Sequence, residues 1–273
     1  HWRDAPAWLY RNARNVLVDP SLDHAAVQLL RQADHWDSVL VILDDLSERN
    51  RKLRDLVCTA LANQHQPKIV EGLANRLFTT TDTNVRRRYI EILSRVYKKP
   101  PAWKYWGFRP APRAPHSVTW DKTPAVDSLL QRELNNDKSM LRAFTLSRMK
   151  REGVAVSLPT IRKLLRGKQP ELITAILDTL ESFPSKQQDP LLDEIAQQKS
   201  YPPTHRIAAV RRLAGNVKTF STSKLMDLAV RLEPGVVKAE AIRKVSDRKD
   251  VKKLEQMLQK VHDLFFYKVN LFV

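Results

Sequence analysis

A pattern that recurs about every 32 residues constrains the fold of this 273-residue chain more than any other feature of its sequence. Four of the six copies begin with an apolar residue and a basic one, while Leu172-Ile173 is a weaker copy and His205 precedes the basic residue in another. Further apolar or small residues follow three and seven positions after the second residue of the pair. Such spacing places these side chains on one face of a helix. The six copies begin at Leu53, Val85, Leu141, Leu172, His205 and Val237. The period therefore predicts a repeat protein.

A second amphipathic segment precedes each copy, so that each repeat consists of two helices. These segments are residues 39–46, 69–78, 126–134, 158–165, 191–195 and 225–232. A helix pair of this size cannot bury its apolar face alone, whereas stacked pairs can. We therefore predict an all-α fold, an α-α superhelix of about seven helix pairs, in which the first pair, around residues 19–34, is degenerate. The chain has only six glycines, which favours helices joined by short loops.

Helix starts are marked along the chain. Pro170, Pro202 and Pro234 are spaced 32 residues apart, each just before a repeated helix. Proline is tolerated there because its missing N–H would have had no partner in a first helical turn. In two repeats without this proline, Asn50 and Asp82 lie three residues before the apolar-basic pair and are candidate N-caps.

The apolar-basic pair at the start of the second helix resembles the HEAT repeat, an armadillo-type helical repeat. In that family the basic residue belongs to a polar ladder between neighbouring repeats. The positions that match this ladder residue are Arg54, Arg86, Arg142, Arg206 and Lys238. Ile173 departs from the pattern. The resemblance predicts a structural role for these five residues and leaves the function open, since helical repeats serve many roles.

A segment of different composition interrupts the repeats at residues 98–123. It contains five prolines, so it cannot be a continuous helix, and six basic residues against the single acid Asp121. Its aromatic and arginine side chains are candidate binding residues, because such residues dominate binding hot spots. They are Trp103, Tyr105, Trp106, Phe108, Arg109, Arg113 and Trp120. The same aromatics could instead plug a gap between repeats, and the sequence leaves both interpretations open.

The run WKYWGFRPAPRAPHSVTWDKT within this segment resembles part of large exported proteins of planctomycete-type bacteria. Those proteins are described as membrane-bound dehydrogenases with a c-type haem-binding domain. In them, HEAT repeats lie between a β-propeller and a cytochrome-like module. The resemblance implies an extracytoplasmic scaffold between two redox modules of one polypeptide. This chain has no CxxCH motif and no propeller signature, so the resemblance places no haem ligand on any of its residues.

The expected boundaries follow from these features. We predict an N-terminal flank with the degenerate first repeat at residues 1–37, repeats at 38–97 and 124–263, and the insertion at 98–123. Residues 264–273 form a truncated C-terminal end. The chain is expected to be a piece of a longer protein.

No enzymatic signature is found in the sequence. Metal-ligand spacings, nucleophile elbows and phosphate-binding glycine loops are all missing. Cys58, the only cysteine, lies among apolar helix positions and is predicted to be buried and slow to react. We therefore expect a non-catalytic scaffold without metal or cofactor, which binds a protein partner or neighbouring domains.

The net charge of +17 keeps a second class of function open. Such an excess predicts weak, salt-dependent binding of polyanions without sequence preference. The alternative is a nucleic-acid-binding protein, including an enzyme similar to the HEAT-like alkylpurine DNA glycosylases, with Asp121 and Asp127 as candidate acids. No motif of that family can be matched residue by residue.

Overall fold

The computed structural model describes residues 2–16, 19–112, 114, 117–136, 139–167 and 169–248. These residues form fourteen α-helices, two short 3-10 turns and one β-hairpin whose two strands are two residues long each. The fold is therefore all-α, as predicted. The chain divides into two compact units, residues 1–156 and 157–273.

The first unit contains four helix pairs. They are α1 (Ala5–Val16) and α2 (Ser21–Gln32), α3 (Trp36–Val41) and α4 (Arg51–Leu61), α5 (Pro67–Thr79) and α6 (Thr83–Arg95), and α7 (Thr123–Leu134) and α8 (Arg142–Arg151). The hairpin strands β1 (Tyr105–Trp106) and β2 (Arg109–Pro110) lie between α6 and α7. The second helices pack in series, α2 on α4, α4 on α6 and α6 on α8, and form one layer.

The second unit contains three pairs with the same arrangement. They are α9 (Leu158–Leu165) and α10 (Pro170–Leu180), α11 (Ser185–Gln197) and α12 (Pro203–Gly215), and α13 (Thr222–Arg231) and α14 (Val236–Asp247). Again the second helices α10, α12 and α14 contact one another in order, and α11 contacts α13.

The repeat positions form the core of both units. All twelve positions that lie three and seven residues after the ladder position are buried. They are Val57, Leu61, Tyr89, Leu93, Thr145, Met149, Ile176, Leu180, Ala209, Leu213, Ala241 and Val245. One buried face per helix is what holds stacked pairs together, since burial of each large apolar side chain contributes roughly 1.5–3 kcal/mol.

Helix starts follow the sequence signals in most repeats. Asp82 caps α6, because its carboxylate accepts hydrogen bonds from the backbone N–H groups of Asn84 at 2.7 Å and Val85 at 3.0 Å. Pro170 is the first residue of α10, as expected. The prediction for Asn50 is wrong: it precedes α4, but its side-chain amide donates to Asp45 at 2.6 Å and caps nothing.

The described residues contain seven helix pairs, the number that the sequence predicts, while the bounds of the first pair differ. That pair begins at Ala5, because α1 precedes the helix that the sequence analysis placed around residues 19–34. The end of the last predicted repeat and the terminal segment 264–273 lie outside the described residues.

Candidate protein-interaction site

The base of the insertion is pinned to the helices on either side of it. Lys99 and Val118 form an antiparallel bridge with N–O distances of 2.7 and 2.9 Å. Trp120 is buried and its indole N–H donates to the carbonyl of Val96, just after α6, at 2.8 Å. The hydroxyl of Thr123, the first residue of α7, accepts from the Trp120 backbone N–H at 2.9 Å. Both ends of the segment are therefore fixed.

Two further groups enclose the Trp120 ring. The His65 ring meets it edge-on at a centroid distance of 5.6 Å. The Lys99 ammonium lies 4.8 Å from the ring centroid, within the range of a cation–π interaction. Because the indole nitrogen has a hydrogen-bond acceptor and the ring has neighbours, Trp120 serves as the anchor of the insertion.

The tip of the insertion is a tight antiparallel hairpin. Tyr105 pairs with Pro110 and Trp106 with Arg109. Gly107 in the turn has a φ of 64°, a conformation that glycine adopts without the steric cost of a side chain. The hairpin is closed by a hydrogen bond from the Ala111 N–H to the Lys104 carbonyl at 2.6 Å.

Large apolar side chains of the tip face solvent. Trp103 is 51% exposed, Tyr105 64% exposed and Phe108 fully exposed. Of the candidate binding residues whose side chains are described, Trp120 is the one that is buried. Trp106 and Arg109 lie in the strands, but their side chains, and all of Arg113, lie outside what the structure describes.

The ladder residues hold carbonyl groups at the end of the preceding helix. Arg86 Nη1 donates to the carbonyls of Leu77 at 2.6 Å and Thr80 at 3.0 Å. Arg206 Nε donates to the Ala196 carbonyl at 2.8 Å, and Lys238 Nζ to that of Leu232 at 3.2 Å. The last carbonyls of a helix have no partner within the helix, so a basic side chain satisfies them.

The two remaining ladder residues lie in the first unit. Arg54 Nη1 donates to the carbonyls of Asp45 at 2.5 Å and Ser47 at 2.6 Å, between the 3-10 turn that follows α3 and the start of α4. Arg142, the first residue of α8, is buried.

Two ladder arginines also reach the next repeat. Arg86 forms an ion pair with Glu133 at 2.5 Å, and Arg206 forms one with Glu233 at 2.5 Å. The hydrogen bond from Arg206 lowers the pKa of Glu233 to about 2. Each of these two arginines lies on the second helix of its pair, and it contacts both the first helix of that pair and the following pair.

The repeat that lacks a basic ladder residue has a substitute. In the repeat that has Ile173 at the ladder position, the hydroxyl of Tyr201 donates a hydrogen bond to the carbonyl of Leu165, the last residue of α9, at 2.6 Å. Tyr201 comes from the loop before α12 and is buried. The sequence analysis missed this residue, because its role depends on contact with another repeat.

Cys58 differs from its prediction in one respect. It is partly exposed rather than buried. Desolvation nevertheless raises the pKa of the thiol to about 11, which disfavours the reactive thiolate at neutral pH.

The two candidate acids of the enzymatic alternative lie at the start of α7 and just before it. Asp121 is exposed beside Trp120, and Asp127 on α7 lies next to Gln131 of the same helix. No group of three potential metal ligands occurs in the described part of the chain. None of the helices described there combines the length and apolarity needed to span a lipid bilayer.

A cluster of arginines is the feature that the sequence analysis missed. Helices α4, α6 and α8 bring several basic residues together around one cleft in the first unit, here called the arginine cleft. The run Arg86-Arg87-Arg88 was the available signal. Only the packing of α6 against α4 and α8 shows that two of these arginines face the same opening as Arg148.

Comparisons of the chain with protein-family models, with curated proteins and with solved structures find no match. The resemblance to HEAT repeats and to exported dehydrogenase–cytochrome proteins therefore stays a prediction.

Proposed function

We propose that this chain is a non-catalytic helical-repeat scaffold of the HEAT type, a superhelix of stacked pairs, whose insertion hairpin binds a protein partner. The observation that carries the proposal is the exposure of Tyr105 and Phe108 on a hairpin whose base is fixed by Trp120. Exposed aromatic side chains on an ordered backbone bind with little loss of conformational entropy. A solvated connecting loop would have no use for them.

The resemblance noted above suggests what the partner is. In the proteins that the insertion resembles, redox modules flank the repeats within one exported polypeptide. We therefore propose that the hairpin contacts a neighbouring domain of the same polypeptide or a protein associated with it outside the cytoplasm. Any oxidoreductase chemistry would belong to those modules, and none is assigned to the residues of this chain.

The test is a pull-down from the native organism with four forms of the chain: the unchanged sequence, Tyr105→Ala, Phe108→Ala and Met140→Ala. Met140 is 77% exposed in the same unit and serves as a matched apolar control. We expect a specific protein to be retained by the unchanged chain and by Met140→Ala. Both hairpin variants should lose it, since hot-spot aromatics contribute about 2 kcal/mol or more.

Two outcomes would contradict the proposal. One is retention of every bound protein equally by all four forms, which would mean that the hairpin takes no part in binding. The other is the absence of any specifically retained protein. Far-UV circular dichroism of each variant ensures that a loss of binding is not a loss of folding.

A further inference from the structure

The arginine cleft has a volume of about 820 Å³ and is lined by seven arginines against three acids. Two of the arginines are committed to the fold. Arg31 donates to the carbonyls of Thr59 and Ala60 at the end of α4, and Arg54 occupies the ladder position. The remaining five are Arg51, Arg87, Arg88, Arg95 and Arg148. Among these five, Arg88 pairs with Asp55 of α4 and Arg51 lies 3.7 Å from Glu48. The seven arginines still outnumber the four carboxylates at the cleft, Glu48, Asp55, Asp82 and Glu91, so an excess of positive charge is left.

One carboxylate at the centre of the cleft is shared by three guanidinium groups. Glu91 contacts Arg95 at 2.9 Å, Arg148 at 2.5 Å and Arg151 at 2.9 Å. Burial opposes the charge of Glu91, but these arginines outweigh it and lower the pKa of the carboxyl. Arg151 also pairs with Glu152 at 2.7 Å, so two carboxylates face three arginines and the cluster keeps an excess of one positive charge in a partly buried place.

Arg87 extends this cluster towards solvent. Its guanidinium lies 4.5 Å from the centroid of the Phe144 ring, and that of Arg148 lies 4.7 Å from the same centroid. Arg87 is exposed, and its neighbour here is the ring rather than a carboxylate. Stacking on the ring orders the guanidinium while leaving its N–H donors available, which prepares it for an anionic ligand.

We infer that the arginine cleft binds an acidic polypeptide segment through its side-chain carboxylates. The planar fork of arginine matches a carboxylate with two parallel hydrogen bonds, and such charge-assisted pairs are the stronger ones. The volume is of the size that accommodates a few side chains of a bound chain. This second interaction surface lies on the repeat helices and does not depend on the hairpin.

Two features favour a peptide over nucleic acid. Glu48 and Asp82 also line the cleft, and they would repel a continuous phosphate backbone, which carries one charge per roughly 1.7 Å of duplex. A peptide with spaced carboxylates can place them on arginines and avoid these acids. In addition, Phe144, the one aromatic residue among the described residues that line the cleft, is already in contact with two guanidinium groups and so is not open for base stacking.

The experiment measures fluorescence anisotropy of a labelled peptide of alternating glutamate and serine, at low and at physiological salt. The variants are Arg87→Gln, Arg87→Glu and the control Arg162→Gln. Arg162 is an exposed arginine of α9, so the control removes the same charge elsewhere. We expect the Kd to rise about 10-fold or more for Arg87→Gln, the loss of one charge-assisted hydrogen bond, and further for Arg87→Glu. Arg162→Gln should change it less than about twofold.

Equal weakening by Arg87→Gln and Arg162→Gln would overturn the inference, because binding would then follow net charge alone. Tighter binding of an oligonucleotide, lost in Arg87→Gln, would replace the peptide with nucleic acid as the ligand. Failure of the peptide to bind would also overturn it. Phe108→Ala should leave peptide binding unchanged, so that this result and the pull-down result on the hairpin are read independently.

Discussion

The base and the tip of the insertion belong to one proline-rich segment and both contain aromatic residues, yet these residues differ in burial and in hydrogen bonding. At the base, Trp120 is 9% exposed, its indole N–H has an acceptor, and the Lys99–Val118 bridge joins the two strands of chain. At the tip, Tyr105 and Phe108 project into solvent from a hairpin whose strands are two residues long. One segment thus contains both a structural anchor and an exposed apolar surface.

This difference bears on the choice between a plug and a docking site that the sequence leaves open. Aromatic content alone does not distinguish the two, since either use requires large apolar rings. What distinguishes them is whether a ring finds buried neighbours and a partner for its polar atom. Trp120 has both, whereas Tyr105 and Phe108 expose most of their ring surface to solvent. The segment is therefore a plug at its base and a candidate docking site at its tip.

The largest expected effect is at the base. Trp120→Ala removes a buried ring and the hydrogen bond to Val96, and it should lower the free energy of unfolding by about 3 kcal/mol. Urea denaturation followed by far-UV circular dichroism measures this change. The matched control is Trp103→Ala, which removes the same side chain from a half-exposed position and should cost less than about 1 kcal/mol. Equal losses in the two variants would refute the division between base and tip.

The helices and their order follow from the sequence because the determining interactions are local. The spacing of Leu53, Val57 and Leu61 already identifies the buried face of α4, and the buried residues agree with it. Capping at α6 is equally local, since Asp82 reaches only two and three residues along the chain.

The parts that the sequence could not predict depend on contacts between distant residues. Tyr201 takes the place of a ladder residue through contact with Leu165, which is 36 positions away. Glu91 and Arg151 meet across 60 positions, so the run Arg86-Arg87-Arg88 by itself does not show which other residues join the cluster beside the arginine cleft. In the same way nothing local marks Trp120, rather than Trp103, as the anchor; the acceptor at Val96 decides it.

A smaller effect is expected from the cation beside the anchor. Lys99→Gln removes the ammonium that lies 4.8 Å from the Trp120 ring but keeps the length of the side chain and the backbone bridge. The loss should be about 0.5–1 kcal/mol of unfolding free energy, the magnitude of a cation–π interaction near the surface. Lys104→Gln is the control, because it removes the same charge from an exposed position at the tip. If both variants lose the same amount, the contact with the ring contributes nothing beyond charge.

The smallest effect on stability is expected at the end of the hairpin. Phe108 is fully exposed and Tyr105 is 64% exposed, so replacing both with alanine removes little buried area. The double variant should unfold within about 0.5 kcal/mol of the unchanged chain, as surface substitutions do. Thermal and urea denaturation measure this, and the Trp120→Ala variant in the same series shows that the assay detects a loss. A drop as large as that of Trp120→Ala would mean that the tip aromatics stabilise the fold, and the docking role of the hairpin would then have no support. An unchanged stability together with loss of the partner in the pull-down would separate recognition at the tip from anchoring at the base.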